Sequence, residues 1–504
     1  MLRVEQVRPK SRSLLRQMFE AVLSNAIPVG QQDWTPDTGT TGIMGANCST
    51  EFIPLSFGIK NAIHCVFHGF RNNTGAYDGE EVIQHAYTIG SVVVQYIASD
   101  LVTIESQYVS NGGCSVSPGQ MAVVSITGLP YRAKGSYIRI IWNANTSAST
   151  NTYYYTKVTT ASNGALYEFS ATAITNRATI AETANIPSAN GFTVFEPIVM
   201  AEPNENVKAI SLWGDSLSDN IEFYDSRGEA YWGWLARGLQ ESGRPYSLIN
   251  FASAAARVEE NVANNSQFLA WRKSLDRSDI AVVAIGTNDM IAGDSAATII
   301  QKITQMVTEL RRAGKSVYVV TLPPEQNTST DEYITDCGDQ NAGRLAIRRA
   351  VNTYIRSTFP FIDTSRYVSN GDDSQYDGAK WKLPTAAVNA TPLAIAASPA
   401  STTTRIYWTT ASDPGRKYRE LYGAKIKFRS DTTTVALRNI ATEGTGSNTS
   451  GANNLSDVSV ALPATPATGD TFDIWMAYTR DGIHFAPGAV MAIVSSGELT
   501  KVLE

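Results

Sequence analysis

Histidine is scarce in this chain of 504 residues, which contains four of them. Three lie near the start, at His64, His68 and His85, and the fourth is His484. Imidazole is the side chain that most often serves as a general base near neutral pH. If the last two thirds of the chain hold a site that needs such a base, His484 is the residue that must supply it.

Cysteine is equally scarce. The four cysteines are scattered along the chain at Cys48, Cys65, Cys114 and Cys337. None forms a Cys-x-x-Cys pair or has zinc-finger spacing, so the sequence signals neither a zinc site nor a disulfide framework. We expect no bound metal, and the spacing leaves open a single buried disulfide in the N-terminal part.

Charge and long apolar runs are also in short supply. Charged residues make up 17% of the chain and the net charge is −6, which gives no long-range field to recruit nucleic acid or an anionic membrane. No apolar run approaches the roughly 20 residues that span a bilayer, and the N-terminus lacks the pattern of a secretory signal. We expect neither a nucleic-acid nor a membrane partner, and a location that is virion-associated, cytoplasmic or reached by a non-classical export route.

The length predicts several domains, since a single hydrophobic core stops growing at about 250–300 residues. Residues 1–29 carry apolar side chains at helical spacing and predict a short amphipathic helix. Residues 30–203 are rich in Thr, Ser, Val, Ile and Tyr between Gly and Asn breaks, which is typical of the short strands of a β-sandwich or jelly roll. For this domain we expect either carbohydrate binding or contacts within a homo-oligomer.

Apolar strands alternate with helices in residues 204–370. The predicted strands are 207–213, 247–250, 280–285, 317–322 and 361–363, and the predicted helices are 230–239, 296–312 and 343–356. This alternation predicts an α/β fold of three layers, with a five-stranded parallel sheet covered on both faces. Residues 371–473 return to a Thr-, Ser- and Ala-rich β pattern, and residues 474–504 resume the α/β pattern. We interpret the middle stretch as a β-rich insertion into one α/β domain.

A candidate nucleophile follows the first of these strands, in the turn Gly214-Asp215-Ser216-Leu217. It lies at the carboxyl end of a parallel strand, where open α/β sheets bind their ligands. A serine hydroxyl there needs a base to take its proton and donors to hold the oxyanion. Alone, the tetrapeptide would more often be an ordinary strand-to-helix turn.

A candidate oxyanion donor follows the third strand, in Gly286-Thr287-Asn288-Asp289. The side-chain amide of Asn288 would lie at the same sheet edge as Ser216 and could donate to an oxyanion. The alternative is that Asn288 bonds the backbone of its turn or caps the next helix.

The candidate base lies in Asp481-Gly482-Ile483-His484. A spacing of three lets the carboxylate approach the imidazole and orient its tautomer while the other ring nitrogen faces the serine. An isolated motif of this kind is more often a surface turn, so its value lies in the combination with the two preceding segments.

These three segments, in this order and each after a predicted strand, resemble the SGNH (GDSL) hydrolase superfamily. The resemblance implies a three-layer α/β/α fold and an esterase, lipase, thioesterase or carbohydrate acetylesterase activity that needs no cofactor. It further implies that Ser216 is the nucleophile, His484 the general base and Asp481 its orienting partner. Asn288 and the backbone N–H of Ser216 would be oxyanion donors.

One segment departs from the family pattern. The family usually has a glycine after the second strand whose backbone N–H also serves the oxyanion hole, whereas residues 250–257 here contain no glycine. By offset from Asn250, Ala255 takes that place. Its N–H is an equally good donor if φ is negative, but a left-handed backbone would cost on the order of 1 kcal/mol or more.

Other residues have alternative interpretations. The absence of a Gly-x-Ser-x-Gly elbow disfavours the larger α/β-hydrolase family. His64 and His68 share one strand face, but no carboxylate nearby supports a metal pair.

Three acidic residues in a Gly-rich loop lack EF-hand spacing and are better interpreted as a solvated loop than as a calcium site: Asp372, Asp373 and Asp377. Several aromatic residues could stack on sugars but are more often core residues: Trp142, Tyr153, Tyr154, Tyr155 and Trp408.

Together the motifs predict a serine esterase with an acyl-serine intermediate. Two β-rich regions beside a compact hydrolase suggest a polymeric substrate, and we expect an O-acetylated polysaccharide. The arrangement is similar to that of polysaccharide deacetylases of bacteria and of phage tail proteins that resemble this family. The alternatives are a general short-chain carboxylesterase or lipase, and a catalytically inactive carbohydrate-binding or virion structural protein.

Overall fold

The structure is a computed structural model that describes most, but not all, of the chain. The described residues are 27–28, 31–33, 39–40, 44–50, 52–72, 80–82, 85–147, 153–159, 166–172, 174–187, 191–194, 196–218, 233–253, 255–262, 276–326, 333–334, 340–371, 376–387, 392–397, 400–409, 424–429, 434–436, 453–457, 461–479 and 483–504. The helix predicted within residues 1–29 lies outside them, apart from residues 27–28, which form a strand.

The described part of the N-terminal region is made mainly of β-strands, as its composition predicts. They are β1 (Ile27–Pro28), β2 (Gln31–Asp33), β3 (Gly39–Thr40), β4 (Gly45–Ser49), β5 (Ile53–Pro54), β6 (Ile59–His68), β7 (Phe70–Asn72), β8 (Glu80–Val82), β9 (Tyr87–Ile97), β10 (Ile104–Val109), β11 (Cys114–Val116), β12 (Met121–Arg132), β13 (Tyr137–Thr146), β14 (Tyr153–Thr159), β15 (Tyr167–Ser170), β16 (Gly191–Val194) and β17 (Ile198–Pro203).

Two antiparallel sheets of this region pack face to face. One has the order β1-β17-β6-β12, and the other has the order β10-β9-β13-β4-β15, with β11 added to β9 and β5 to β13. Alternate residues of β6 and β12 point into the shared core, where Ile63, Phe67 and Val124 pack with Val94 and Trp142. Burial of this apolar surface, at about 25 cal/mol per Å², stabilises the pair of sheets as a β-sandwich.

The α/β domain begins immediately after the sandwich. Its strands are β18 (Lys208–Gly214), β19 (Tyr246–Asn250), β20 (Ile280–Ala284), β21 (Ser316–Val320) and β22 (Phe361–Ile362). Its helices are α1 (Trp234–Glu241), α2 (Thr287–Ile291), α3 (Ala296–Arg312), α4 (Ala342–Thr358) and α5 (Thr364–Val368), with a 3₁₀ turn at Val258–Asn261.

These five strands form a parallel sheet, as predicted, and a sixth strand extends it. The order is β2-β19-β18-β20-β21-β22, so β2 of the N-terminal region pairs in parallel with β19 at one edge. The five predicted strands are confirmed, and the sixth comes from the N-terminal region. The added strand is three residues long and polar, Gln31-Gln32-Asp33, and so carries no apolar pattern to announce it.

Helices cover both faces of this sheet. Apolar residues of α3 and α4, such as Ile303 and Ile355, pack on one face with Val283. On the other face Leu235 of α1 packs with Val282. The sandwich joins the first of these cores through Met200 of β17. The domain is thus the predicted three-layer α/β/α fold, with the sandwich packed against it.

A β-rich segment separates α5 from the last helix. It contains β23 (Leu393–Ala394), β24 (Arg405–Thr409), β25 (Lys425–Phe428), β26 (Thr434–Ala436), β27 (Asn453–Asp457) and β28 (Thr471–Trp475), followed by α6 (Pro487–Ser495) and a 3₁₀ turn at Glu498–Val502. The strands pair as β23-β28-β25-β26 and β24-β27. Residue Ile493 of α6 then packs on the α1 side of the parallel sheet. Segments before and after the β-rich stretch therefore belong to one hydrophobic core.

None of the helices in the described part of the chain combines the length and the apolar character needed to cross a membrane.

Candidate active site

The nucleophile turn follows β18 and passes close to the neighbouring strand. A Cβ atom at Gly214 would lie 2.7 Å from the Cβ of Ser218 and 3.0 Å from the carbonyl oxygen of Ala284, so a side chain there would be strongly crowded. The side chain of Asp215 accepts a hydrogen bond from the N–H of Leu217 at 3.0 Å. The N–H of Ser218 donates to the carbonyl of Asp215 at 2.9 Å. These contacts fix the turn that presents Ser216.

Ser216 and His484 meet although 268 residues separate them in sequence. The Nε2 atom of His484 lies 2.9 Å from the Oγ atom of Ser216. With the ring proton on Nδ1, Nε2 accepts a hydrogen bond from the serine hydroxyl, which is the geometry that a general base needs. The side chain of Thr479, just after β28, donates to the carbonyl of His484 at 2.9 Å and helps to hold this segment. Asp481 lies outside the described residues, so its role as orienting partner stays a prediction.

Asn288 lies in α2, after a glycine with φ of 131° at Gly286. Its side-chain amide donates to the carbonyl of Ala256 at 3.0 Å, so it bonds backbone, although the alternative interpretation expected the backbone of its own turn. The bonded carbonyl, however, belongs to the loop after β19. A carboxamide has two N–H groups. The role of Asn288 as an oxyanion donor, through the second N–H, stays a prediction.

Ala255 has the left-handed backbone that the sequence raised as a concern. Its φ is +62°, a region that costs an alanine roughly 1 kcal/mol. The N–H of the next residue, Ala256, donates to the carbonyl of Ser253 at 3.1 Å and closes the turn. The role of the Ala255 N–H as an oxyanion donor stays a prediction.

Asn250, for which the sequence suggested no role, ties two loops together. Its side-chain amide donates to the carbonyl of Ser218 at 2.9 Å, and its carbonyl oxygen accepts from the N–H of Ala252 at 3.0 Å. The residue is buried at the end of β19. The sequence could have indicated this role, because Asn250 is a polar residue that ends a buried strand, and this strand lies beside the strand that carries the nucleophile.

Asp215 is a second residue that sequence reasoning left without a role. Its side chain is buried, and this burial raises the pKa of the carboxyl group to about 7, against an ordinary value of 3.8. The N–H of Leu217 and the imidazole of His484 act in the opposite direction, while the Asp289 carboxylate adds to the rise. The folded state therefore resists ionisation of this group.

Asp215→Asn should stabilise the protein more at pH 8 than at pH 4. When the pKa of a carboxyl group is higher in the folded state than in the unfolded state, its contribution to folding stability is fully present below the unfolded-state pKa. That contribution is lost as the pH rises through the folded-state pKa. The difference between the ordinary pKa of 3.8 and the folded-state pKa of about 7 corresponds to roughly 4 kcal/mol of folding stability. An asparagine is neutral at both pH values, so the variant does not lose this stability. Denaturant unfolding of both proteins across this range measures the difference. An advantage of the variant that stays constant with pH would contradict the assignment of the buried carboxyl.

The histidines of the N-terminal strand form no metal centre. His64 is buried, its Nδ1 lies 2.8 Å from the Oγ of Ser125, and burial lowers the pKa of its ring while Glu202 raises it. Among the described residues no group of three or more His, Cys, Asp or Glu side chains could hold a metal ion. Cys48, Cys65 and Cys114 form no disulfide with one another, so the pairing left open by the sequence does not occur among them.

The carboxylate of Asp377, in the acidic loop after α5, is not exposed to solvent. This residue is buried and accepts hydrogen bonds from Arg356 at 2.7 Å and from Asn352 at 2.8 Å. The interpretation as a solvated carboxylate is wrong here, because helix α4 supplies partners that a local reading of the loop does not reveal. Asp372 and Asp373 lie outside the described residues.

Two aromatic residues considered for sugar stacking are core residues. Trp142 is buried and its ring meets that of Phe67 edge to face at 6.5 Å. Trp408 is buried against Phe472 with ring centres 5.9 Å apart. Neither presents a face to a ligand, which agrees with the preferred interpretation of the sequence. The side chains of the Tyr153–Thr159 strand lie outside what the structure describes.

A serine hydroxyl in contact with an imidazole, at the carboxyl edge of a parallel sheet covered by helices, defines a serine hydrolase of the α/β/α class. Residues 212–383 match the model of the GDSL-like lipase/acylhydrolase family. The chain therefore carries an SGNH-type hydrolase domain, and its class of activity is that of an esterase or acylhydrolase. None of the curated proteins matches the sequence.

Several solved structures resemble part of the chain. An acetyl xylan esterase, AlAXEase, is 16% identical over 31% of this chain and 76% of its own, with a TM-score of 0.24. TesA is 19% identical over 35% of this chain and 90% of its own, with a TM-score of 0.24. A GDSL-like lipase from Bacteroides thetaiotaomicron is 15% identical over 35% and 80%, with a TM-score of 0.23. The assignment of the family rests on the match of residues 212–383.

Proposed function

We propose that this protein is a serine esterase that removes O-acetyl groups from a polysaccharide. The contact between His484 Nε2 and Ser216 Oγ, 2.9 Å apart, carries the proposal. It joins a nucleophile and a base at the sheet edge where substrates of parallel α/β folds bind. The two parts of the proposal, esterase chemistry and the acetylated polymer, are supported by different features.

In the proposed reaction the Ser216 oxygen attacks the ester carbonyl while His484 takes the hydroxyl proton. The carbonyl oxygen becomes an oxyanion, held by the N–H groups of Ser216 and Ala255 and by the second N–H of the Asn288 amide. Collapse expels the alcohol, which takes the proton from His484 and leaves an acyl-serine. Water then repeats the sequence and releases the acid. Asp481 is proposed to orient the imidazole throughout.

A small cavity beside these residues supports a short acyl group. It is lined by Leu217, Thr287 and Phe485, each the chain neighbour of a proposed catalytic residue, and further back by Leu322. It has room for about one water-sized group. A methyl group is of that size. An acetyl group therefore fits better than a long acyl chain.

Leu322→Ala should move the preference towards longer acyl chains. The leucine is buried against Gly286, and its truncation would open space for about one or two methylenes. Because one methylene in an apolar pocket is worth about 10-fold or more in rate, the ratio of kcat/KM for p-nitrophenyl butyrate to that for the acetate should rise about tenfold. Leu310→Ala, a buried leucine of α3 in the same core that does not line the cavity, is the matched control and should leave the ratio unchanged. An unchanged ratio in both variants would mean that this cavity does not receive the acyl group.

The β-rich regions support a polymeric substrate. The insertion, residues 371–473, ends a few residues before His484, so it emerges beside the proposed site. Trp381, within it, packs edge to face against Phe485 at 6.0 Å, next to the imidazole. The sandwich packs against the α3 side of the same domain through Met200. Such added surfaces suit a long substrate better than a small free ester.

Acetate release tests the proposal. The wild-type protein should release acetate from at least one member of a panel of O-acetylated plant and bacterial polysaccharides, and Ser216→Ala should release none. The same polymers deacetylated by alkali serve as blanks. Hydrolysis of p-nitrophenyl acetate without acetate release from any polymer would replace the proposal with a general short-chain esterase.

A further inference from the structure

The loop that carries Ala255 holds a strained backbone next to the proposed oxyanion hole. Two contacts with α2 fix its far side. The carbonyl of Ala256 accepts from the Asn288 amide at 3.0 Å, and the N–H of Val258 donates to a carboxylate oxygen of Asp289 at 3.0 Å. The loop and the α2 turn are therefore joined by hydrogen bonds on both sides of Arg257.

A network of charges surrounds this junction. The Nζ atom of Lys302, on α3, lies 2.5 Å from Glu259, 2.7 Å from Asp294 and 3.3 Å from Asp289. The guanidinium of Arg257, within the loop, lies 2.9 Å from Asp294 and 3.2 Å from Glu259. Two cations thus bridge three carboxylates drawn from the loop, from α2 and from the turn after α2.

The network is more than a set of solvated surface pairs. The Asp289 side chain is 0% exposed, and that of Lys302 is 18% exposed. A buried carboxylate that loses its cation is costly, whereas an exposed pair contributes little. Burial lowers the pKa of Lys302, but the hydrogen bonds that its ammonium donates to Asp294 and Glu259 outweigh burial and raise the pKa to about 12. The ammonium therefore stays charged through neutral and moderately alkaline pH.

We infer that Lys302 is a positioning residue: together with Arg257 it clamps the Ala255 loop in its left-handed conformation against α2, and so keeps the oxyanion donors of the two segments converged. This inference rests on the proposed function. The clamp also explains how alanine can occupy this position, where glycine would adopt the same backbone conformation without strain. Without the clamp, Ala255 would relax towards negative φ, and its N–H would leave the oxyanion.

The test compares two ion-paired lysines. Lys302→Met keeps the aliphatic stem and removes the charge. It should lower kcat for p-nitrophenyl acetate at least tenfold with KM within threefold, because a donor misplaced by about 1 Å can cost a factor of 10². Lys302→Arg should restore at least half of the lost kcat on a logarithmic scale. Lys315→Met is the matched control, since Lys315 pairs with buried Asp276 at 2.9 Å before the amino ends of β20 and β21. It should lower Tm while kcat stays within twofold of wild type.

A double-mutant cycle separates positioning from general damage. Glycine removes the strain that the clamp is proposed to hold, so Ala255→Gly should raise kcat at least threefold more in the Lys302→Met background than in wild type. If Lys302→Met does not fold, Glu259→Gln takes its place in the same cycle, with the same expected coupling.

The outcomes are distinguishable. If Lys302→Met lowers Tm but keeps kcat within twofold, or if Ala255→Gly has the same effect in both backgrounds, Lys302 is only structural and the inference is overturned while the proposed function stands. If the wild-type protein neither hydrolyses p-nitrophenyl acetate nor takes a fluorophosphonate on Ser216, the proposed function and the inference both fall.

Discussion

Replacing His484 with alanine is expected to lower kcat by three or more powers of ten. The imidazole contacts Ser216 and is its proposed base, so its loss would remove the proton transfer on which attack and departure both depend. No other histidine can substitute, since His64 and His68 lie on β6 of the sandwich and His85 lies just before β9. The measurement is steady-state hydrolysis of p-nitrophenyl acetate with Tm recorded for each variant.

His85→Ala is the control for this experiment. It removes an exposed imidazole from the N-terminal region and should leave kcat within twofold of wild type. A loss of less than tenfold in His484→Ala would contradict the assignment of the general base.

Replacing Asn288 with alanine should lower kcat by about 10² to 10³ with little change in KM. That is the cost of one oxyanion donor, because the hydrogen bond forms fully only when charge develops in the transition state. Asn288→Asp should lose as much, since a carboxylate of similar shape has no N–H to donate. Kinetics of both variants at saturating and at low substrate separate kcat from KM.

Asn341→Ala is the matched control, because this exposed asparagine caps α4 by accepting from the N–H of Gly343 at 2.9 Å. It should lower Tm and leave kcat unchanged. If Asn288→Ala instead raises KM and spares kcat, its amide serves only to bond the carbonyl of Ala256.

The sequence predicted the strands whose position in the sheet is reflected in their own residue pattern. The strands β18 and β20 are apolar runs buried on both faces of a parallel sheet, so their composition marks them directly. The strand β2 is short, polar and far from the rest of its sheet in sequence. Its place is set by pairing with β19, which no local pattern encodes.

The same contrast holds at the site. Ser216 and Asn288 were found because each follows a strand of the parallel sheet, and parallel strands end at one sheet edge. His484 was found by its motif and by the scarcity of histidine, since the strand before it, β28, lies in an antiparallel sheet. Lys302 and Arg257 went unnoticed because a lysine on an amphipathic helix and an arginine in a loop look like ordinary surface residues. Asp377 was misread for the same reason, since its partner Arg356 comes from another element. Charged side chains reveal their partners only once the helices are packed.

Covalent labelling of Ser216 tests the central claim most directly. Wild-type protein treated with a fluorophosphonate should gain the mass of one adduct, mapped by peptide mass spectrometry to Ser216, while Ser216→Ala gains none and His484→Ala reacts at least a hundredfold more slowly. Absence of an adduct on folded wild-type protein, or an adduct that persists in Ser216→Ala, would contradict the account.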